Sequence, residues 1–237
     1  MRSEAYRRYR LAVPGGWFPR ARGGGLQSRM ALLYSGAFVA AIAVLTWRKL
    51  QTAPASHAVT VAAAVILYLL WMIVESKTAV SEWPRARTAM DRGTMELYAF
   101  GRAATVLTAL GLPTSSSLSP AWSAIALLVC ASGIVLRLSA IRALGTAYSY
   151  RVRVEPEQPL ISSGPYRVVR HPAYAGMLLA HLGFVAVLYN PVSLVMLAAW
   201  FLPALLLRIR VEEAALEGLP GYTDYARAKK RLIPLVW

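Results

Sequence analysis

The sequence predicts an all-α membrane protein of about six transmembrane helices, the last two joined as a tight helical hairpin and followed by a cytoplasmic amphipathic helix. Three observations carry that prediction. Hydrophobic residues make up 57% of the 237 and charged residues only 16%, which is too apolar for a soluble domain of this size. Apolar runs of roughly the 17 to 25 residues that a bilayer crossing needs occupy residues 30–47, 58–75, 97–112, 121–137, 173–189 and 191–207. The 26 Lys and Arg set a net charge of +15, but they gather between those runs. That is the pattern of membrane topology, and it argues against nucleic acid as a partner.

Residues 1–29 form a basic, glycine-rich arm in which Gly15-Gly16 and Gly23-Gly24-Gly25 stand among arginines and aromatics. Arg2, Arg7, Arg8 and Arg10 with Tyr6, Tyr9, Trp17 and Phe18 suit a segment lying on the anionic headgroups of membrane lipids; a mobile tail is an equal reading. The first apolar run is longer than the core of a signal peptide and ends in Trp47-Arg48-Lys49, which favours a retained helix. Residues 30–136 hold helices one to four, the third short and carrying Arg102, for which Glu75 or Glu96 is the expected partner. Only Asn190-Pro191, a turn signal, separates the fifth run from the sixth.

Charge sets the orientation, because cytoplasmic loops collect Lys and Arg. Seven precede residue 30, four lie in 76–96, five in 138–172 and six in 208–237. The alternate loops hold two in 48–57 and none in 113–120 or at 190–191. Both termini are therefore expected in the cytoplasm. Arginine outnumbers lysine 22 to 4, which hints at a GC-rich bacterial source and so at a bacterial cytoplasmic membrane. The single cysteine, Cys130, excludes an internal disulfide or a cysteine-based metal site, and no metal is expected.

Unusual polar chemistry concentrates in residues 137–237. The run Gly164-Pro165-Tyr166-Arg167-Val168-Val169-Arg170-His171-Pro172-Ala173-Tyr174-Ala175-Gly176 reads as a turn, a polar collar and a helix start. Pro172 suits a first helical turn, whose free N–H groups can receive an anionic or electron-rich group. His171 and Tyr174 then stand at the helix mouth, and Gly176 permits close approach by a ligand or a neighbouring helix. Arg208 and Glu212, at the exit of the sixth run and four residues apart, share a helix face. Glu213, Gly221, Tyr222, Tyr225 and the basic stretch 227–231 follow, read as a helix that folds back over the hairpin. His181 lies deeper, where an interhelical hydrogen bond is the simplest role.

These residues resemble the isoprenylcysteine carboxyl methyltransferase family of membrane enzymes. The resemblance runs through Leu144-Gly145, the Gly164 to Gly176 block, Asn190-Pro191, Arg208 with Glu212-Glu213 and Leu216, Gly221 with Tyr222 and Tyr225, and Leu232-Ile233-Pro234. Asp91-Arg92-Gly93-Thr94 is a weaker match. The resemblance implies a catalytic region over 137–237 that binds S-adenosylmethionine, with Tyr166, Arg170, His171, Tyr174, Gly176, Glu212 and Glu213 toward the cofactor. It also implies Arg208 and Glu212 as catalytic residues nearest a lipophilic or prenylated acceptor.

Such a cofactor is polar and cytosolic, and the motifs fall on segments that the charge count places inside. The glycine fingerprint of soluble dinucleotide-binding folds is absent, so helix ends and side chains must supply the contacts. For a carboxylate acceptor Arg208 holds the carboxylate and no base is needed. For a phenol or alcohol a base is required, and Glu212 or His171 is the candidate. Two rival functions are a phospholipid or lipid N-methyltransferase and a non-enzymatic transporter or scaffold. The second is disfavoured because the polar residues gather at one face rather than at the bilayer midplane.

Overall fold

The computed structural model describes residues 24–82, 93–114, 119–152 and 158–234. Six long helices run in chain order: α1 Gly24–Thr52, α2 Ala55–Glu82, α3 Thr94–Gly111, α4 Pro120–Leu144, α5 Pro172–Val187 and α6 Pro191–Leu216. A short α7 spans Tyr222–Ala228. Each apolar run of the sequence falls in one of the six. Four of them, α1, α2, α4 and α6, are long and apolar enough to cross a membrane. The helix α3 has 18 residues with Arg102 at its middle, and α5 has 16. Because α1 begins at Gly24, the end of the segment read as an arm is helical; residues 1–23 lie outside the described residues, as do Asp91 and Arg92.

The tightest packing joins α4 to α5, and glycine makes it possible. A methyl group at Gly176 would stand 2.5 Å from the Arg137 backbone nitrogen and 2.6 Å from the Gly133 oxygen. One at Gly183 would stand 2.7 Å from the Ala126 oxygen, and one at Gly133 would meet the Ala180 nitrogen. The two backbones therefore touch directly, as small residues allow between membrane helices. Gly176, expected to face either a ligand or a helix, faces α4.

Between α5 and α6 the turn is as short as expected. Asn190 caps α6 by accepting from the Ser193 N–H at 2.9 Å, and its amide donates to the Thr108 carbonyl at 3.2 Å, tying the turn to the end of α3. The arms touch through His181 and Phe201, whose rings lie 4.8 Å apart, yet each packs mainly elsewhere: α5 on α4, α6 along α3. Lys49, counted with a loop, belongs to α1 and is buried; its ammonium donates to the carbonyls of Ala109 at 3.0 Å and Leu112 at 2.6 Å. It thus satisfies the orphan acceptors and negative end of α3.

Pro203 has no N–H to give to the preceding turn, and Met196–Phe201 just before it is widened to a π-helix. Gly101 of α3 meets that widened turn; a methyl there would lie 2.9 Å from Trp200 and 3.1 Å from the Phe201 Cα. The extra residue in the turn changes the phase of everything after it, including Arg208.

The expected terminal amphipathic helix is only seven residues long. The tail folds back across the mouth of the hairpin, where Arg170 and His171 donate backbone N–H groups to the Lys230 and Arg231 carbonyls at 2.8 and 2.9 Å and Arg231 reaches Glu213 of α6. Gly218, Pro220 and Gly221 separate α6 from α7 and leave α7 only about two turns long, so backbone pairing with the Tyr166–His171 segment does much of the covering.

Gly183 lies on α5 far from that tail, so Gly183→Ala tests the packing alone. It should lower stability by about 1–3 kcal/mol through overpacking, read as a reduced thermal midpoint in detergent.

Candidate active site

One end of the bundle, where α4 ends, α5 begins and α6 exits, surrounds a cavity of about 1050 Å³ counting its open mouth. Tyr166, Arg170, His171, Tyr174, Arg208 and Glu212 all line it, joined by Leu144, Leu160, Leu216 and Leu219 and by Tyr148, Tyr150, Tyr222 and Tyr225. Residues that the sequence scatters from 144 to 225 thus line one cavity.

Arg208 and Glu212 meet through Tyr174. The Tyr174 hydroxyl donates to Glu212 Oε2 at 2.6 Å and accepts from Arg208 Nε at 3.0 Å. Arg208 is buried, sits 5.9 Å from the centre of the Tyr98 ring and donates through Nη2 to the Tyr150 carbonyl. A guanidinium held by π-face, hydroxyl and carbonyl keeps its charge beside the cavity. Helical spacing alone brought Arg208 and Glu212 to one face, but the linking hydroxyl comes from α5.

Glu213 and Gly176 do not line the cavity. Gly176 is closed off by α4. Glu213 accepts from Arg170 Nη1 at 2.8 Å, His171 Nε2 at 3.1 Å and Arg231 Nε at 2.9 Å, so its carboxylate fastens the tail to the start of α5. Since a carboxylate can only accept, His171 Nε2 carries the proton there. Tyr225 adds a second fastening, donating to the Tyr166 carbonyl at 3.0 Å.

The phenols are donors rather than bases. Burial pushes Tyr225 up to about 12, against the pull of Arg170. Burial likewise raises Tyr166, with Glu212 adding to it, and raises Tyr150, with Glu75 adding to it. All three stay protonated at neutral pH.

Helix α2 supplies a part that sequence reading did not. Glu75 pairs with Arg137, not with Arg102: Arg137 Nη2 donates to Glu75 Oε2 at 3.2 Å, while Nε contacts Oε1. Trp71 Nε1 and the Tyr150 hydroxyl also donate to the Glu75 carboxylate, at 2.6 and 3.1 Å. The remaining Arg137 donors reach the Ala173 carbonyl at 3.2 Å and the Tyr148 hydroxyl at 3.1 Å. This network fixes Tyr148 and Tyr150 and, through the Tyr150 carbonyl, Arg208. Arg102 donates instead to the Tyr68 hydroxyl at 2.8 Å and lies over the Tyr68 and Trp71 rings, and Glu96 lies 3.7 Å from Arg151. The only advance signal was two ionisable residues, Glu75 and Arg137, inside apolar runs. His181 fills the interhelical role expected of it: Nδ1 donates to the Met177 carbonyl at 2.8 Å, leaving Nε2 toward the Tyr68 hydroxyl at 3.4 Å.

Breaking the Glu75–Arg137 pair strands a buried guanidinium. Glu75→Gln should cost about 3–5 kcal/mol, measured as a fall in thermal midpoint, and the double variant Glu75→Leu/Arg137→Met should recover much of it.

Comparison with known proteins adds family information to this geometry. Residues 124–218 match the model of the isoprenylcysteine carboxyl methyltransferase family. Protein-S-isoprenylcysteine O-methyltransferase B of Arabidopsis thaliana is 31% identical over 108 residues, 44% of this chain and 55% of that protein. The protein-S-isoprenylcysteine O-methyltransferase of Tribolium castaneum is 33% identical over 120 residues, 48% of this chain and 42% of the relative. The chain spans about half the length of the curated relatives it matches. A solved eukaryotic intramembrane Ras methyltransferase of the same name superposes with a TM-score of 0.50 at 16% identity, covering 98% of this chain and 93% of that one. That likeness extends the fold over nearly the whole length, well beyond the matched segment.

Proposed function

We propose that this integral membrane protein, whose segment 124–218 matches the isoprenylcysteine carboxyl methyltransferase family, transfers a methyl group from S-adenosylmethionine to a carboxylate of a lipophilic acceptor. The observation that carries the reading is the Arg208–Tyr174–Glu212 chain at the wall of an amphipathic cavity. The catalytic region is 137–237, completed by Tyr98 and by support from Glu75.

The lining suits the cofactor. Its donor set pairs an acidic side chain, Glu212, with tyrosine rings and leucines, matching a molecule with cationic centres and a flat heteroaromatic ring. Glu212 would hold the cationic part, and Tyr166, Tyr222 and the leucines would enclose the ring. When bound, S-adenosylmethionine supplies an electrophilic methyl, whose bond to sulfur breaks as its bond to the acceptor oxygen forms.

The chain itself supplies position and electrostatics. Arg208 binds the acceptor carboxylate and aims one oxygen. Tyr174 holds Arg208 and Glu212 at a fixed separation, so the guanidinium serves the anion and the carboxylate serves the cation. No general base is required for a carboxylate, and the high phenol pKa values remove those tyrosines as bases. A buried guanidinium on the wall also favours an anionic acceptor over the ammonium of a lipid amine.

The positive-inside count supports a cavity open to the cytoplasm with both termini inside, and the arginine-rich composition supports a bacterial cytoplasmic membrane. The relatives' names favour a prenylated cysteine carboxylate as the acceptor class.

Arg208→Ala should reduce methyl transfer about 100-fold or more with cofactor affinity retained, whereas Glu212→Gln should weaken cofactor binding. Methyl transfer from labelled S-adenosylmethionine in nanodiscs, measured beside cofactor binding by calorimetry, checks both. Full turnover in either variant removes that residue's role.

A further inference from the structure

Among the described residues, exposed large hydrophobic side chains lie on the long helices, where lipid covers them, apart from Leu112 at the far end of α3 and two others. Those two are Val168 and Ile233, 57% and 54% exposed. Both belong to the ribbon at the cavity end, in which Val169 bridges to Lys230 and the Arg170 and His171 N–H groups reach the Lys230 and Arg231 carbonyls. The ribbon has a sealed face and an open one. Inward go Tyr166, Val169 and Leu232, all buried, and the guanidiniums of Arg170 and Arg231, both held by Glu213. Outward go Val168 and Ile233 with the exposed cations Arg167 and Lys230.

In water that open face would leave two aliphatic side chains unburied. Depth gives them cover. Tyr166 packs with Ala140, Ala143 and Leu144 near the end of α4. With the apolar stretch Pro120–Ala147 centred in a bilayer, Ala140 and Leu144 lie about 10 and 16 Å from its middle at 1.5 Å per residue. The hydrocarbon ends roughly 15 Å from the bilayer centre, and the headgroups lie beyond. The ribbon is therefore level with the boundary between acyl chains and headgroups, where aliphatic side chains are covered and Lys or Arg meets phosphate.

We propose that this ribbon docks on the anionic lipids of the leaflet at the cavity end, with Val168 and Ile233 inserted between headgroups and Arg167 and Lys230 on their phosphates. The docking also holds the cavity's cover in place, because the same tail carries Tyr222 and Tyr225 on the cavity wall and is pinned to α6 through Arg231 and Glu213. That second part rests on the methyl-transfer reading above, which puts S-adenosylmethionine in the cavity.

Nitroxide labels report the depth. Cys130, the single cysteine, is fully buried, so a cysteine introduced at an exposed position is labelled alone. Val168→Cys and Ile233→Cys are compared with Asp224→Cys, whose native side chain is 88% exposed, using the full chain in nanodiscs of phosphatidylcholine with and without phosphatidylglycerol. With phosphatidylglycerol, the labels at 168 and 233 should meet oxygen several-fold more often than a water-soluble nickel reagent, and the label at 224 the reverse. Arg167→Glu/Lys230→Glu should return both labels toward water, as should high salt, which screens exposed charge. Affinity for S-adenosylmethionine should be several-fold tighter with phosphatidylglycerol in wild type and equal in the two lipids for the double variant. Labels at 168 and 233 as water-exposed as the one at 224 overturn the inference, as do depths that ignore phosphatidylglycerol. Deep labels with a cofactor affinity that ignores lipid charge overturn the hold on the cavity, and so does a gain in affinity that survives in the double variant. If S-adenosylmethionine binds in neither lipid, the methyl-transfer reading falls, while the label depths still judge the docking.

Discussion

The cavity depends on the direct contact between the backbones of α4 and α5. Gly133, Gly176 and Gly183 leave no side chain between the helices, so the start of α5 is pinned against the stretch of α4 that carries Arg137. Arg137 can then donate to the Ala173 carbonyl at the first turn of α5 while its other nitrogens engage Glu75 and Tyr148. Tyr174, one residue further on, is delivered to Arg208 and Glu212. Without that close approach the helix mouth would shift by the width of a side chain, and a hydrogen-bonded arrangement does not survive such a displacement.

Charge in this protein is arranged in two tiers. The deeper tier, Glu75 with Arg137, is nearly sealed from solvent; Trp71 and Tyr150 donate to the Glu75 carboxylate, and Arg137 donates to the Tyr148 hydroxyl. It organises but has little capacity left for a ligand. The upper tier, Arg208 with Tyr174 and Glu212, borders open space and has groups facing it. A third charged group, Glu213 with Arg170, His171 and Arg231, secures the tail at the cavity's edge. Adjacent residues Glu212 and Glu213 thus do different work, because successive positions on a helix point about 100° apart.

The N-terminal half contributes more than hydrophobic bulk. From α2 comes the counter-charge of Arg137, and from α3 comes Tyr98 at the cavity wall. The widened turn in α6, forced beside Pro203, is where α3 fits closest. Such turns recur at functional sites because they re-aim the residues that follow.

Much of this was legible in the chain. The apolar runs located the six helices, and residue count marks the four that are long enough to cross the hydrocarbon. Asn190-Pro191 announced its turn, since cap and proline chemistry is local. The motif residues Tyr166, Arg170, His171, Tyr174, Arg208 and Glu212 are readable from two short runs of sequence, and they line one cavity. Tertiary structure alone decided the partners: Glu75 with Arg137 rather than Arg102, Glu213 with Arg170, His171 and Arg231, Gly176 with α4, and a tail held by backbone pairing at the mouth of the hairpin. Helical periodicity tells which residues share a face but not which face of another helix they meet. That choice is made by where glycines let backbones touch and by which buried charge finds its complement first.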